Sequence, residues 1–236
     1  MAPMHNELQQ YLEPTAIINS DHQQVTAYAR EHTSDAGDDP ISKAVALYYA
    51  VRDNIWYTPY YPFYLPEHYR ASNVLQSGKG YCVSKASLLC ALGRACDIPS
   101  RFGFADVKNH LATRQLLDYM GSDLFVYHGF VEFYLDNKWV KATPAFNASL
   151  CRRHQVVPLE FNGHEDSVFQ AYNEDQQRFM EYINDHGVFD DIPVDAIVTA
   201  WRKTYTDARV DKWIRQFDEN NGRPIRNFAT EDVVRT

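Results

Sequence analysis

Cys82 and His128 are the residues of this chain whose types and setting could do nucleophilic chemistry. Cys82 follows the glycine-containing segment Ser77–Tyr81 and opens a run of apolar and small residues that predicts a helix. At a helix N-terminus the dipole and the free N–H groups favour a thiolate, and the same N–H groups can receive a developing oxyanion. A thiolate also needs a base or imidazolium partner, which His128 could be. Each residue alone could instead be structural, since cysteine also serves as a small buried hydrophobe.

The elements that must position this pair can be read from local patterns. The residues Phe125–Leu135 are rich in β-branched and aromatic types, and Asp136 with Asn137 predicts a turn into the strand Lys138–Thr143, so a hairpin is expected. Alternation along the first strand places His128 on one face together with Phe130, Glu132 and Tyr134. Glu132 lies about 13 Å from His128 by strand rise, which is too far for a direct partner, so a structural role is predicted for it.

Helices are predicted on both sides of this region. Ser20 with Gln23 forms a capping-box pattern for a helix over about 21–32, and Asp39 with Pro40 predicts the start of a helix over about 41–56. A strand entry is expected at 100–104 and a helix around 110–120. After Pro144 the pattern predicts helices near 174–185, 193–204 and 207–217, and the polar last fifteen residues predict a surface arm without catalytic pattern.

Two segments resemble the transglutaminase-like superfamily. The first is Gly80-Tyr81-Cys82 followed by Arg94-Ala95 and Ile98-Pro99-Ser100-Arg101, similar to a G-x-C helix that runs into a "GIPAR" strand. The second is His128–Leu135 with Lys138-Trp139-Val140, similar to "HAWVEVYL…WV", and it begins 46 residues after Cys82. The resemblance covers about residues 41–147, including Val51–Ile55.

The resemblance implies an α+β, papain-like core in which the cysteine helix packs on an antiparallel sheet. The implied chemistry is acyl transfer on a carboxamide or peptide bond. Cys82 attacks the carbonyl, His128 protonates the leaving amine, and water or an amine resolves the thioester, so hydrolysis and transamidation both remain open. We expect an N-terminal extension over 1–40, the core over 41–150 and a helical extension packed on the core over 151–236.

This chain departs from the family pattern at the position of the third catalytic residue. Where the family has Asp in "W-V-x-x-D-P-T", this chain has Thr143, whose hydroxyl can accept from imidazole N–H but brings no negative charge. Asn147 and Asp166 are alternative orienting residues. The departure also leaves open a catalytically degenerate module that keeps the fold and binds a peptide or protein partner.

Substrate-cleft candidates come from aromatic residues and one arginine. The stretch Tyr57–Pro66 is too rich in tyrosine and proline to continue a helix, and its rings could either wall a cleft or cover the core. Tyr57, Tyr60 and Tyr81 are therefore candidates. Arg101 is another, although pairing with a carboxylate across the sheet is the structural alternative.

Composition narrows the class of protein. The 236 residues carry 23 Lys and Arg against 31 Asp and Glu, a net charge of −8, which is the wrong sign for gripping phosphate backbones, so no nucleic-acid partner is expected. No signal peptide or membrane-spanning run is recognised, and a cytoplasmic location without membrane association is the expectation.

The spacing of the cysteines predicts no zinc site and requires no disulfide, and no metal or cofactor is expected. The expected partner is a protein, peptide or small amide substrate. The cysteines are Cys82, Cys90, Cys96 and Cys151.

Overall fold

The fold is α+β, as the resemblance implies. The computed structural model describes residues 8–110, 112–169 and 180–231. The helices are α1 Gln23–Thr33, α2 Pro40–Asn54, α3 Ala71–Ser77, α4 Cys82–Ala95, α5 Arg114–Met120, α6 Ala148–His154, α7 Val194–Tyr205 and α8 Asp207–Glu219, with short 3-10 turns at Pro66–His68 and Phe228–Thr230. The strands are β1 Trp56–Tyr57, β2 Lys79–Gly80, β3 Ser100–Asn109, β4 Leu124–Leu135, β5 Lys138–Ala142 and β6 Met180–Phe189.

Four strands form an antiparallel sheet in the order β5-β4-β3-β6, and β1 pairs with β2 in a separate two-residue parallel ladder. The predicted hairpin is confirmed, because β4 and β5 pair from Leu135 opposite Lys138 to Val131 opposite Ala142. The turn residues Asp136 and Asn137 both adopt positive φ, as a tight hairpin turn requires. This hairpin places the histidine strand in the middle of the sheet, between β5 and β3.

The edge strand β6 corrects a prediction. A helix was expected near 174–185, but Met180–Phe189 pairs antiparallel with β3; residues 174–179 lie outside the described ranges. Polar residues interrupt the apolar alternation of this segment, so its local pattern does not reveal a strand. Hydrogen bonding to an available sheet edge decided its conformation, as tertiary context commonly overrides propensity. The extension after residue 150 therefore contributes a strand as well as helices.

The N-terminal helices show how local chemistry sets their boundaries. Asp39 caps α2 as predicted, its Oδ2 accepting a hydrogen bond of 2.9 Å from the Ser42 N–H, with Pro40 at the first helical position. The predicted Ser20 cap of α1 is wrong: the helix begins at Gln23 with His22 as N-cap, whose Nδ1 accepts from the Gln24 N–H at 3.3 Å. Both helices pack against the helix that carries Cys82.

That central helix, α4, is buried along almost its full length, from Val83 to Arg94. It packs on β4 and β3 on one side and is surrounded by α1, α2 and α3 on the others. Apart from Lys85 and Arg94, whose side chains donate hydrogen bonds to backbone carbonyls, its residues are apolar or small, and such a helix belongs in a core. The first turn of α4 is therefore fixed by the whole domain, which makes it a rigid base for a reactive side chain.

The predicted surface arm is anchored at Phe228 and Glu231, although most of its described residues are exposed or half-buried; residues 232–236 lie outside the described ranges. Phe228 is buried, and the buried Glu231 accepts hydrogen bonds from the Tyr60 hydroxyl (2.8 Å) and the Thr113 hydroxyl (2.6 Å). The predicted helices near 193–204 and 207–217 are confirmed as α7 and α8, and α7 packs against β4. In the ranges given above, no helix has both the length and the apolar character needed to cross a membrane.

Candidate active site

Cys82 is the first residue of α4, as the glycine-containing turn predicts. The Tyr81 N–H donates to the Ser84 hydroxyl at 2.9 Å, a contact that caps the N-terminus of α4. The backbone N–H groups of Gly129, Val83 and Cys82 itself lie near the Cys82 sulfur, and each lowers the pKa of the thiol. Three donors thus converge on the thiol, two from the helix start and one from β4.

Gly129 permits this convergence. A Cβ added at this position would lie 3.2 Å from the Val83 Cα and the same distance from one Val83 methyl group. That approach is tighter than a larger residue normally tolerates, so the absence of a side chain lets β4 come against the first turn of α4. His128 is the preceding residue on the same strand, which brings it to the edge of the same site.

A β-bulge lies directly before His128. The pairing of β3 with β4 shifts register between Ala105 and Val107, and Tyr127 adopts a φ of 56°. The Asp106 carboxylate holds this geometry: its Oδ1 accepts from the Tyr127 N–H at 3.0 Å and lies 2.7 Å from the His186 Nε2. The His186 ring stacks on Tyr127, with ring centroids 4.1 Å apart. Bulges commonly re-aim a side chain beside a site.

Cys82 and His128 line one cavity. The cavity is small: its volume is about 50 Å³, which is enough for a few water molecules. The walls come from the aromatic loop, from α4 and α5, from β3 and β4, and from the C-terminal third of the chain. The remaining lining residues are Tyr57, Pro59, Tyr81, Val107, Asn109, Met120, Phe125, Val126, Ala145, Phe146, Phe169, Met180, Trp201 and Tyr205.

Burial controls the protonation of the pair. It raises the pKa of the Cys82 thiol to about 11, although the three N–H donors pull that pKa down, and it lowers the pKa of His128 to about 4. At neutral pH the thiol and the imidazole that line the cavity are therefore both neutral. The sequence predicts a thiolate favoured by the helix dipole; desolvation outweighs that effect here, because it penalises both charged forms.

Thr143, the predicted third member, directly follows β5 and therefore lies beside the strand that carries His128. It is fully buried and its carbonyl accepts from the Tyr48 hydroxyl at 3.1 Å. Within the described residues, neither the Thr143 Oγ1 nor the His128 Nε2 has a hydrogen-bond partner. The hydrogen bond expected from the imidazole to the threonine hydroxyl is thus not formed by these two atoms.

The two alternative third members are engaged elsewhere. Asn147 uses its amide to bind backbone, accepting from the Tyr57 N–H at 2.8 Å and donating to the Arg52 and Ile55 carbonyls at 2.7 and 2.9 Å. Asp166 accepts from the Lys141 N–H at 2.9 Å and lies at a different cavity, on the open side of the sheet. Asn147 therefore anchors the loop after α2, and Asp166 anchors the edge of β5.

The cleft candidates divide into two groups. Tyr57 and Tyr81 line the cavity, whereas Tyr60 is fully buried with its hydroxyl on Glu231. Arg101 makes the predicted structural pair, with its Nη2 2.7 Å from a Glu132 carboxylate oxygen, and does not line the cavity. The guanidinium also stacks over the Trp139 ring at 3.9 Å. Tyr60 and Arg101 therefore make structural contacts and are not among the residues that line this cavity.

One wall of the cavity, called the far wall below, was not predicted from the sequence. Phe169, Met180, Trp201 and Tyr205 all come from the extension after residue 150. The helical periodicity of α7 indicates that one face of it is buried, but nothing local shows that this face closes over Cys82. The extension thus forms part of the site.

Metal binding finds no support in the described part of the chain, where no three His, Cys, Asp or Glu side chains are grouped so that they could hold an ion. All four cysteines, which lie in that part, are free thiols.

Comparison with solved structures gives distant similarity. One match is a candidate cysteine protease from Cytophaga hutchinsonii, with 16% identity and a TM-score of 0.44, covering 78% of this chain and 54% of that one. Another is a candidate protease from Parabacteroides distasonis, with 19% identity and a TM-score of 0.38, covering 58% of this chain and 25% of that one. The present chain thus spans about half the length of the first protein.

Comparison with sequences is more specific. No curated protein matches the chain. The family model of the transglutaminase-like superfamily matches residues 26–144, about half of the 236 residues. The matched segment contains Cys82, His128 and Thr143, and it ends before the part of the chain that forms the far wall of the cavity. The chain belongs to the transglutaminase-like superfamily.

Proposed function

We propose that this protein catalyses cysteine-dependent acyl transfer on a carboxamide or peptide bond, with Cys82 as nucleophile and His128 as its acid–base partner. The observation that carries the proposal is the convergence of both side chains on one cavity, with three backbone N–H groups directed at the Cys82 sulfur. A nucleophile, a proton carrier and preorganised donors are the parts that acyl transfer needs.

The resting protonation state sets the order of events. Because the thiol and the imidazole are both neutral, His128 takes the thiol proton as the Cys82 sulfur attacks the carbonyl carbon, and the backbone N–H donors receive the oxyanion. His128 then gives this proton to the nitrogen of the leaving amine, the C–N bond breaks, and a thioester remains. Water or a second amine attacks the thioester and loses a proton through His128, which regenerates the Cys82 thiol.

A binding module with an inactive site is the second candidate. It is favoured by Thr143, which brings no charge to the position of the family aspartate and whose hydroxyl has no hydrogen-bond partner among the described residues. Without a neighbouring carboxylate, the imidazolium that forms during the attack is less stabilised. In this alternative the cavity binds a peptide or protein segment and Cys82 stays unreacted.

Release of an amine from an amide substrate distinguishes the enzyme from the binding module. The full chain is incubated with a panel of fluorogenic acyl and peptidyl amides, including glutaminyl amides, and turnover is compared with that of Cys82→Ala and His128→Gln. The matched control is Cys96→Ala, a half-buried cysteine just after the C-terminus of α4. Acyl transfer predicts turnover lost in both site variants and kept in the control, with a hydroxylamine-labile thioester on Cys82.

Absence of turnover and of any acyl adduct on Cys82, across amides and activated esters alike, contradicts the enzyme and leaves the binding module. Turnover that survives in Cys82→Ala equally contradicts it.

A further inference from the structure

We propose that the cavity beside Cys82 accepts a short, uncharged acyl group, so that the substrates are neutral short-chain acyl amides. This inference rests on the proposed function and adds the chemical class of the acyl donor. The cavity is considered only as the described residues form it.

The charge of the walls is the first observation. Among the described residues that line the cavity, none carries a carboxylate, an ammonium or a guanidinium group. Several of the lining side chains are apolar, among them Val107, Met120 and Phe125. A charged substituent entering this space would lose its hydration without gaining a counter-ion, which is strongly unfavourable. The walls therefore select a neutral acyl group.

The size of the cavity is the second observation. Its volume is about 50 Å³. An apolar cavity of about 150 Å³ accommodates benzene, and a single water requires about 10–15 Å³. The space beside Cys82 therefore suits an acyl chain of a few carbon atoms, and a long or aromatic chain would have to displace the wall.

The polar atoms at the walls are the third observation. The Tyr205 hydroxyl is already engaged, donating to the Leu124 carbonyl at 2.9 Å and accepting from the Val126 N–H at 3.1 Å. The buried Trp201 Nε1 has no partner within the described residues. An indole N–H is a donor only, and a buried donor without an acceptor is costly. The Trp201 Nε1 is itself inaccessible to solvent, so this residue offers an occupant of the cavity only apolar ring atoms.

Activated esters test the inference on the intact chain. The probes are p-nitrophenyl butyrate and mono-p-nitrophenyl succinate, whose acyl groups have the same length and differ by a terminal carboxylate. In each reaction a bond forms between the Cys82 sulfur and the carbonyl carbon, the ester C–O bond breaks, and p-nitrophenol leaves with the thiol proton. Acylation of Cys82 is followed by mass spectrometry, and each rate is divided by the rate of that ester with glutathione.

The expected result is that Cys82 takes the butyryl group about a hundredfold or more faster than the succinyl group on this normalised scale, because the carboxylate is not compensated. The normalised rate should also fall from the butyrate to the octanoate ester. The variant Cys96→Ala should behave as the parent protein does.

Comparable normalised rates for the two esters, with Cys82 acylated, overturn the inference and leave the proposed function intact. An octanoyl group that loads as fast as butyryl overturns the size argument in the same way. If no ester, acetate included, acylates Cys82, the proposed function fails and the inference fails with it.

Met120→Lys supplies a second test, because the unbranched methionine is replaced by a side chain of similar length with an ammonium group. The succinyl rate relative to the butyryl rate should rise at least about tenfold, since the carboxylate then finds a counter-ion in the cavity. A folded variant with an unchanged ratio would show that the acyl group does not reach this wall. If this variant does not fold, the comparison of butyryl and succinyl rates in the parent protein still tests the inference.

Discussion

The backbone N–H of Gly129 lies against the sulfur of Cys82 and lowers the pKa of its thiol. This contact joins the strand that carries His128 to the first turn of the helix that carries the thiol, and it forms because Gly129 has no side chain to keep Val83 away. The approach of two core elements, more than any single side chain, therefore builds the site.

Gly129→Ala should destabilise the protein by about 1–3 kcal/mol, because the added Cβ meets the backbone of Val83, which cannot move without shifting α4. The measurement is denaturant unfolding together with the rate of Cys82 alkylation. Gly37→Ala is the control: Gly37 has positive φ, but no atom of the described residues lies within 4 Å of the added Cβ, so only backbone strain of about 1 kcal/mol is expected. A change in Cys82 alkylation should appear at Gly129 alone, and an alkylation rate that stays at the parent value in Gly129→Ala would contradict this role.

Alkylation of Cys82 by iodoacetamide should be slow at pH 7 and should rise toward pH 11. Because burial raises the pKa of the thiol to about 11, only about one molecule in ten thousand carries the thiolate at pH 7. His128→Gln should leave the profile above pH 6 nearly unchanged, since the imidazole is already neutral there. Labelling located by mass spectrometry checks this. Rapid labelling below pH 7 that disappears in His128→Gln would instead demonstrate a thiolate–imidazolium pair.

Thr143→Val should be neutral or should stabilise the protein by up to about 1 kcal/mol. The Thr143 Oγ1 is buried and has no partner among the described residues, so replacing the hydroxyl by a methyl of similar shape removes an uncompensated polar group. Asn147→Ala is the contrasting variant and should cost about 2–4 kcal/mol, because its amide bonds several backbone groups. Thermal unfolding compares the two. A loss above about 1 kcal/mol in Thr143→Val would mean that the hydroxyl has a partner in solution.

His128 should make the native state less stable at acid pH. Its folded pKa of about 4 lies below the unfolded value near 6.5, so the unfolded chain binds a proton first as pH falls. Stability is therefore lost between about pH 6.5 and 4, by on the order of 3 kcal/mol, and no further below pH 4 from this residue. His128→Gln should lack this component when free energies of unfolding are compared across that window. Identical pH dependence in both proteins would show that the imidazole is solvated.

Some of the site is determined by the sequence itself. The glycine-containing turn before Cys82 predicts a helix that starts at the thiol, and the Asp136-Asn137 turn predicts the hairpin that carries His128. These features are encoded locally, because caps, turn residues and strand alternation act over a few residues. The order and spacing of the two motifs also identify the superfamily that the match over residues 26–144 establishes.

Only the tertiary structure decided what surrounds the pair. The strand β6 exists because β3 offers it an edge, and Trp201 reaches the cavity because α7 folds back onto β4 from far along the chain. The same packing excludes water, so desolvation sets the protonation of Cys82 and His128 against the helix-dipole expectation. Burial depends on every element that closes over a residue, and no local pattern of residues contains that information.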